Sequence, residues 1–257
     1  MFWLYILIFI SFCLLLAFSS KWLVEALTRV ARFLGWREFV VSFFTIALAG
    51  SLPNLFVGIS SALHKIPELS FGDVISGNLI DLTLAVALAV FISRSAISTR
   101  SRLVQNSALF TVVIAILPWV LVLDGSLSRG DGLVLILTFI FYIFWLFSKQ
   151  ERFTKIYDGS QILDFKVFLK DLGKISLSLI LLLLAAEGVV KSAIFFASVL
   201  NLDLVLIGVL IVALGNALPE TYFAIVSAKR DQNWMVLGDL MGSIIGCATF
   251  VLGIVAL

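Results

Sequence analysis

Two short polar segments, residues 49–54 and 215–220, interrupt otherwise apolar sequence, and each contains a Leu-Pro pair followed by an amide or an acid. Their prolines, Pro53 and Pro219, lie 166 positions apart. Proline has no amide hydrogen and its ring displaces the carbonyl four residues earlier, so each segment should break a helix and free a main-chain oxygen. In lipid, freed carbonyls are tolerated only inside protein or beside water or an ion. The duplicated break therefore predicts an ion site between two repeats.

Oxygen-bearing side chains flank both prolines. The first segment supplies Ser51 and Asn54, and the second supplies Asn216 and Glu220. Hydroxyl, amide and carboxylate oxygens are hard ligands, which suit Ca²⁺ or Na⁺ and do not suit soft metals. The residue types thus indicate a site for a hard cation.

A second polar set follows each segment at the same offset. Asp73 and Asp81 lie eight residues apart and share one helical face, as do Asp239 and Cys247, with Ser243 between them. An aspartate as deep in apolar sequence as Asp81 is costly and marks a functional site by default. The predicted cation ligands are Ser51, Asn54, Asp81, Asn216, Glu220 and Ser243.

Structural roles compete with this interpretation. A single Gly-x-x-Pro in a membrane helix is more often a kink than a ligand site. Asp73 and Asp239 each lie near an expected helix start, where they could cap the helix or face the headgroups. Cys247 fits better as a small packing residue than as a ligand. The small residues around Gly77 and Ser243 predict close approach of helices around the ion.

The composition places the chain in the membrane. It has 257 residues, of which 61% are hydrophobic and 13% charged, and a mean hydropathy of +1.15. Soluble domains carry about a quarter charged residues. We predict an all-α polytopic membrane protein in which the apolar N-terminus is a retained first helix. Cys13 and Cys247 are isolated and His64 is the only histidine, so no disulfide, zinc site or resident cofactor is indicated. No enzyme or nucleic-acid motif is present.

Eight spans follow from the hydropathy, with the expected bounds 2–34, 38–63, 69–93, 103–123, 132–148, 174–200, 203–228 and 234–257. With the N-terminus outside, only Lys65, Arg129 and Lys191 of the 18 basic residues fall on the outer side. That asymmetry is the positive-inside pattern, and it predicts a bacterial or archaeal inner or cell membrane as the location.

The spans predict two repeats of opposite orientation, because five helices precede the second copy. We expect the first repeat over 1–148 with its motif at 49–81, a cytoplasmic loop at 149–172, and the second repeat over 173–257 with its motif at 215–247. The second repeat would have three helices where the first has five. The sequence therefore reads as a fragment or as a shortened variant.

At these motifs the chain resembles the calcium/cation antiporters, typified by sodium/calcium exchangers. That family carries a GTSLPE-like turn and a GNxxGSNIxN-like helix start in each of two inverted repeats. Here the pairs read AGSLPN at 49–54 with GDVISGNLID at 72–81, and GNALPE at 215–220 with GDLMGSIIGC at 238–247. The resemblance implies a fold of ten helices, of which eight are expected here, with the cation held by helices two, three, seven and eight.

The chain departs from the family pattern at several of these positions. Asn54 stands where the family has Glu, and Asp81 stands where many exchangers have Asn, so acid and amide look exchanged across one site. Asn216 and Ala217 replace the Thr and Ser of the second motif, and Cys247 occupies a position that is often acidic or an amide. The number of central carboxylates falls to two, Asp81 and Glu220.

The resulting hypothesis is a secondary antiporter that exchanges Ca²⁺ or a related cation for Na⁺ or H⁺ by alternating access. Two carboxylates balance one Ca²⁺, two Na⁺ or two H⁺, so the charge count predicts electroneutral exchange. The alternative hypothesis is a degenerate, non-transporting homologue with a structural or regulatory role. The expected partners are the lipid bilayer and small inorganic cations. The sequence does not define the oligomeric state.

Overall fold

The computed structural model describes residues 2–33, 51–93, 102–148, 165–229 and 233–257, and the regular structure in these ranges is helical throughout. The described segments form eight helices, of which α7 is broken into two pieces. They are α1 (Phe2–Phe33), α2 (Ser51–Leu63), α3 (Pro67–Ile92), α4 (Arg102–Leu121), α5 (Arg129–Ser148), α6 (Phe165–Leu200), α7a (Leu204–Asn216), α7b (Leu218–Lys229) and α8 (233–256).

The described helices differ in their capacity to cross a membrane. By length and composition, three of them are long and apolar enough, namely Phe2–Leu27 of α1, α3 and α6, and α7 would make a fourth if its two pieces form one span. The expected count of eight spans is therefore not confirmed. The described part of α2 has 13 residues, which is about 20 Å of helix against ~30 Å of hydrocarbon.

Helix α6 begins earlier than the sequence predicted. It starts at Phe165, inside the connection expected at 149–172, while residues 149–164 lie outside the described residues. Lys166, Lys170 and Asp171, which fall inside the predicted connection, belong to the first turns of this helix. Asp171 is buried there against Arg29 of α1, and Phe168 stacks on Phe33 with ring centroids 4.6 Å apart.

The 166-residue offset of the two motifs extends to the helix bounds. Shifted by 166, the range of α1 falls on 168–199, close to α6, and the range of α2 falls on 217–229, close to α7b. A π-helical turn at Asp81–Ala85 of α3 has its counterpart at Gly246–Val251 of α8. The division of the chain into two repeats stays a prediction, and this internal symmetry supports it.

Each of these two π turns carries the same hydrogen bond. Thr83 Oγ1 donates to the carbonyl of Leu79, and Thr249 Oγ1 donates to the carbonyl of Ile245, again 166 residues later. Opening a helix from α to π geometry leaves main-chain groups without their usual partner, and a threonine hydroxyl can replace the lost donor. The chain thus encodes the same local distortion twice.

The two long helices α1 and α6 lie antiparallel against each other. Near one end, Tyr5 stacks on Phe195 with ring centroids 3.6 Å apart. Near the other end, Arg29 Nε and Nη2 donate to the two carboxylate oxygens of Asp171, each at 2.8 Å. Both ends of the pair are therefore fixed by specific contacts, and the buried cluster between them contains Leu16 and Val189.

We expect Arg29→Leu to destabilise the protein by on the order of 3 kcal/mol, because it leaves the carboxylate of Asp171 buried without its partner. The double variant Arg29→Leu/Asp171→Leu should regain most of that loss, since an apolar pair can replace a buried ion pair at little cost. Thermal unfolding of the detergent-solubilised protein measures both. A double variant as unstable as the single one would contradict the account.

Helix α2 is tied to the C-terminal half of α6 by a polar cluster. Ser60 Oγ donates to Glu187 Oε2 at 2.9 Å, and His64 Nε2 lies 2.9 Å from Glu187 Oε1. Lys191 Nζ pairs with the same oxygen at 3.1 Å. These contacts connect the long helix pair to the helix that begins at the first motif.

Helices α3 and α7a approach each other through two glycines. A Cβ atom added to Gly72 would lie 2.3 Å from the carbonyl oxygen of Val205, and one added to Gly208 would lie 2.4 Å from that of Leu69. Side chains larger than hydrogen would therefore separate the two backbones. This contact places the polar face of α3 directly beside the break in α7.

Candidate functional site

Both motif segments lie inside the bundle at helix starts or breaks. The first turn of α2 contains Ser51, Pro53 and Asn54, all of them buried. In the second motif, Asn216 is the last residue of α7a, and the axis bends by 41° between Leu204–Asn216 and Glu220–Val226. The break predicted from the proline is present, and it positions Asn216 and Glu220 on either side of the bend.

The structure describes one of the two main-chain carbonyls that the prolines were expected to free. The amide of Ala217 is directed at the carbonyl oxygens of both Ala213 and Gly215. The hydrogen bond of this amide is to the carbonyl of Ala213 at 2.9 Å, so it does not replace the donor that Gly215 loses opposite Pro219. The equivalent residue of the first motif, Ala49, lies outside the described residues.

A continuous chain of polar contacts crosses the site and joins four helices. Asn216 Nδ2 donates to Asp73 Oδ2 at 2.8 Å and to Asn54 Oδ1 at 3.0 Å. Asn54 Nδ2 in turn donates to Cys247 Sγ at 3.1 Å, and Ser243 Oγ lies 4.0 Å from the same sulfur. One side chain each from α7a, α3 and α2, and two from α8, therefore meet in one buried cluster.

Every predicted ligand is buried. Their exposed fractions are 2% for Ser51, 8% for Asn54, 4% for Asp81, 3% for Asn216, 3% for Glu220 and 1% for Ser243. Asp81 and Glu220, like Asp73, lie within electrostatic range of the thiol of Cys247. Polar groups are buried in this way only where partners or ligands compensate for the lost water.

Two residues that the sequence analysis set aside belong to the cluster. Asp73 is not a cap, since it lies six residues inside α3, is completely buried and accepts the hydrogen bond from Asn216. Cys247 contacts both Asn54 and Ser243 rather than only packing. The sequence contains a signal for each of them. Cys247 is the counterpart of Asp81 at the 166-residue offset, and Asp73 shares the helical face of Asp81. The side chain of Asp239 lies outside the described residues.

Some buried oxygens of the cluster have spare accepting capacity. In the described part of the chain, Asp73 Oδ1 and Asn216 Oδ1 have no hydrogen-bond donor. Buried acceptors are almost always paired, so such atoms indicate a ligand or an ion that completes them. The orientation of the Asn216 amide follows from its two acceptors, because only its nitrogen can donate to both.

The cluster is not a preformed acidic metal centre. Across the described ranges, no three His, Cys, Asp or Glu side chains lie close enough together to hold a metal ion. The expected close packing around Gly77 is also absent there, since a Cβ atom at Gly77 would meet no described atom within 4 Å. The tight helix contact lies at Gly72 instead.

Comparisons with known proteins agree with this architecture. A family profile described as "Sodium/calcium exchanger protein" matches residues 4–148 and 172–257. An uncharacterized membrane protein of Methanocaldococcus jannaschii is 28% identical over 237 residues, which cover 90% of this chain and 74% of that protein.

Solved structures show the same fold. The sodium-calcium exchanger NCX_Mj, in crystals soaked with Na⁺ and Sr²⁺, superposes with a TM-score of 0.62 at 26% identity, covering 98% of this chain and 82% of that one. The H⁺/Ca²⁺ exchanger CAX superposes with a TM-score of 0.73 at 17% identity, covering 98% and 67%, and shows likeness of fold alone. The profile match spans most of the chain, and this integral membrane protein therefore belongs to the sodium/calcium exchanger family, which is a family of cation antiporters.

Proposed function

We propose that the chain is a secondary active antiporter that moves Ca²⁺, or a related hard cation, across the membrane in exchange for Na⁺ or H⁺. The observation that carries the proposal is the buried polar chain from Asp73 through Asn216 and Asn54 to Cys247. It joins the helices of both motifs, and ionisable side chains buried within membrane helices mark a functional site by default. Membership of the exchanger family supports the same conclusion.

Six side chains would hold the cation together with main-chain oxygens, and they are Ser51, Asn54, Asp81, Asn216, Glu220 and Ser243. Ca²⁺ takes about 6–8 oxygen ligands, so this number suffices only if most oxygens turn inward. Amide and hydroxyl oxygens would provide most of the shell, since the acidic groups alone form no compact centre in the described ranges. Asp73 would hold the Asn216 amide in place.

Asp73 would keep the same charge throughout the cycle, because it only holds the Asn216 amide, so the charge balance follows from the two ligand carboxylates of Asp81 and Glu220. They neutralise one Ca²⁺, two Na⁺ or two H⁺, so each half of the cycle would carry no net charge. Exchange should then be insensitive to membrane potential. A relative that exchanges sodium for calcium and one that exchanges protons for calcium both have this fold, which leaves the driving ion as a matter for measurement.

Alternating access would come from movement of α1 and α6 past the four helices of the site. The aromatic stacks and the Arg29–Asp171 pair join these two helices at both ends, which supports their moving as one body. Gly215 contributes to the contact between this body and the site, because a Cβ there would lie 2.6 Å from Cys13 Sγ of α1.

The test is ion flux into proteoliposomes that contain the purified chain. We expect Ca²⁺ uptake that requires an outward Na⁺ or H⁺ gradient and is unchanged when valinomycin and K⁺ set the membrane potential. Uptake that persists without any counter-ion would indicate a passive channel and would overturn the proposal. Potential-dependent uptake would overturn the electroneutral stoichiometry alone.

One observation favours a second candidate, a non-transporting member of the family. Asn54 and Asn216 are hydrogen-bonded to each other, which occupies one amide oxygen that a cation would need. Calorimetric titration of the purified protein separates the two proposals. Heat of Ca²⁺ or Na⁺ binding supports the exchanger, and its absence together with absent flux supports the structural role.

A further inference from the structure

A groove lies between α1 and α6 at the end of the helix pair that carries Arg29. It has a volume of about 340 Å³ and is lined by Trp22, Glu25, Arg29, Lys174 and Leu177. The three residues of α1 follow each other at i, i+3 and i+7, and the two of α6 at i and i+3, so each helix presents one continuous face to the groove. None of the side chains that form the buried polar cluster is among these lining residues.

The surface around the groove carries a surplus of positive charge. Lys166, Lys170 and Lys174 are exposed and lie at i, i+4 and i+8, on one face of α6. Asp171 pairs with Arg29 and also interacts electrostatically with Lys170 and Lys174, so the surplus is what remains when Asp171 and Glu25 are set against these three residues, Lys21 and Lys166. Among the described residues that line the groove, Glu25 is the one acid, and it lies four residues from both Lys21 and Arg29 on α1.

The guanidinium group of Arg29 is oriented so that it can bind a phosphate. Its two hydrogen bonds to Asp171 fix the plane of the guanidinium group, yet its side chain stays 32% exposed toward the groove. A guanidinium in a fixed plane loses little conformational freedom when it binds a second oxyanion. Lys174 brings a mobile ammonium group to the other wall of the same groove.

The apolar part of the groove fits a lipid rather than a soluble anion. Trp22 is 48% and Leu177 49% exposed, and both lie beside the charged groups. Tryptophan is enriched at the membrane–water interface, where its ring contacts headgroups and the upper part of acyl chains. Basic pockets between membrane helices bind anionic headgroups for this combination of reasons.

We propose that this groove binds an anionic phospholipid, with the headgroup phosphate between Arg29 and Lys174 and the acyl chains along Trp22 and Leu177. The lipid would bridge the two long helices, and Lys170 would add long-range attraction. The site is separate from the cation cluster, and the proposal does not depend on transport activity.

Native mass spectrometry of the full chain in detergent, titrated with phosphatidylglycerol, tests the proposal. We expect Lys170→Gln/Lys174→Gln to bind phosphatidylglycerol at least tenfold more weakly than the unaltered protein, because each basic residue near an anionic lipid contributes roughly fivefold. The matched control is Arg129→Gln, which removes an exposed charge at the start of α5, away from the groove. Circular dichroism checks that the exposed substitutions leave the fold intact.

Two further measurements identify the ligand. Phosphatidylcholine should bind far more weakly, and millimolar inorganic phosphate should not displace phosphatidylglycerol. Competition by phosphate would assign the groove to a free anion and overturn the lipid proposal. If the lysine variant binds phosphatidylglycerol as tightly as the unaltered protein, the lipid binds at another surface. If Arg129→Gln loses as much binding as the lysine variant, the lipid responds only to the overall charge. Either result would also overturn the proposal.

Discussion

Replacing Glu220 by Gln should reduce cation exchange by about a hundredfold, and Asp81→Asn should do the same. Both carboxylates are almost completely buried, at 3% and 4% exposure. Removing one of the buried charges that compensates a cation in a dry site costs on the order of 3 kcal/mol, which corresponds to about two decades in affinity. Flux of Ca²⁺ into proteoliposomes, driven by an outward Na⁺ or H⁺ gradient, measures the effect.

The matched control is Glu68→Gln, which removes an exposed carboxylate from the first turn of α3. It leaves the buried cluster untouched, so flux should stay within about twofold of the unaltered protein, as for most surface substitutions. Unchanged flux in both Glu220→Gln and Asp81→Asn would reject the site. A comparable loss in Glu68→Gln would show that flux responds to surface charge instead.

A compensating pair of substitutions sharpens this test. Asn54 and Asp81 look like an acid and an amide exchanged across one site, and Asn54 contacts Cys247, on which Asp81 acts electrostatically. Adding Asn54→Glu to Asp81→Asn returns the lost charge to the same cluster. We expect the double variant to recover flux at least tenfold over Asp81→Asn. Failure to recover would mean that position 81, and not the total charge, decides transport.

The sequence indicates the repetition in this fold, because the repetition is itself a physical signal. The 166-residue offset of Pro53 and Pro219 is read directly from the sequence, and the structure then shows the same offset between α1 and α6 and between the two π turns, which were not predicted. A helix break near Asn216 follows directly from the missing amide of proline. Such features depend on local chemistry, which can be inferred directly from the residue types and their spacing.

Features that depend on tertiary contacts could not be predicted in the same way. Charges at 165–172 suggested a loop, but Asp171 is buried by Arg29, a residue 142 positions away. Gly77 looked like the close-contact glycine, yet Gly72 has that role, because the relative position of α3 and α7a selects which face meets the partner backbone. From the sequence alone, Cys247 looks like a packing residue. Its role as a hydrogen-bond acceptor depends on Asn54, which faces it only in the folded chain.

Substituting Gly72 by Ala should destabilise the fold by on the order of 3 kcal/mol and abolish transport. The new Cβ atom would lie 2.3 Å from the carbonyl oxygen of Val205 and 3.1 Å from the amide nitrogen of Val209, both of them main-chain atoms that cannot rotate away. Helices α3 and α7a must then separate, and overpacking of this kind costs about 1–3 kcal/mol. Since Asp73 follows directly, its 2.8 Å hydrogen bond to Asn216 is lost in the same movement.

Gly77→Ala is the matched control, because it makes the same chemical change one turn along the same helix, where the new Cβ atom meets no described atom within 4 Å. Alanine is the better helix former by about 1 kcal/mol, so this variant should be as stable as the unaltered protein or more so. Thermal unfolding in detergent compares the two. If Gly72→Ala unfolds at the same temperature as Gly77→Ala, the backbones of α3 and α7a do not touch at Gly72. In that case the contact cannot be what holds Asp73 against Asn216, and the four-helix cluster would lack the support that we assign to it.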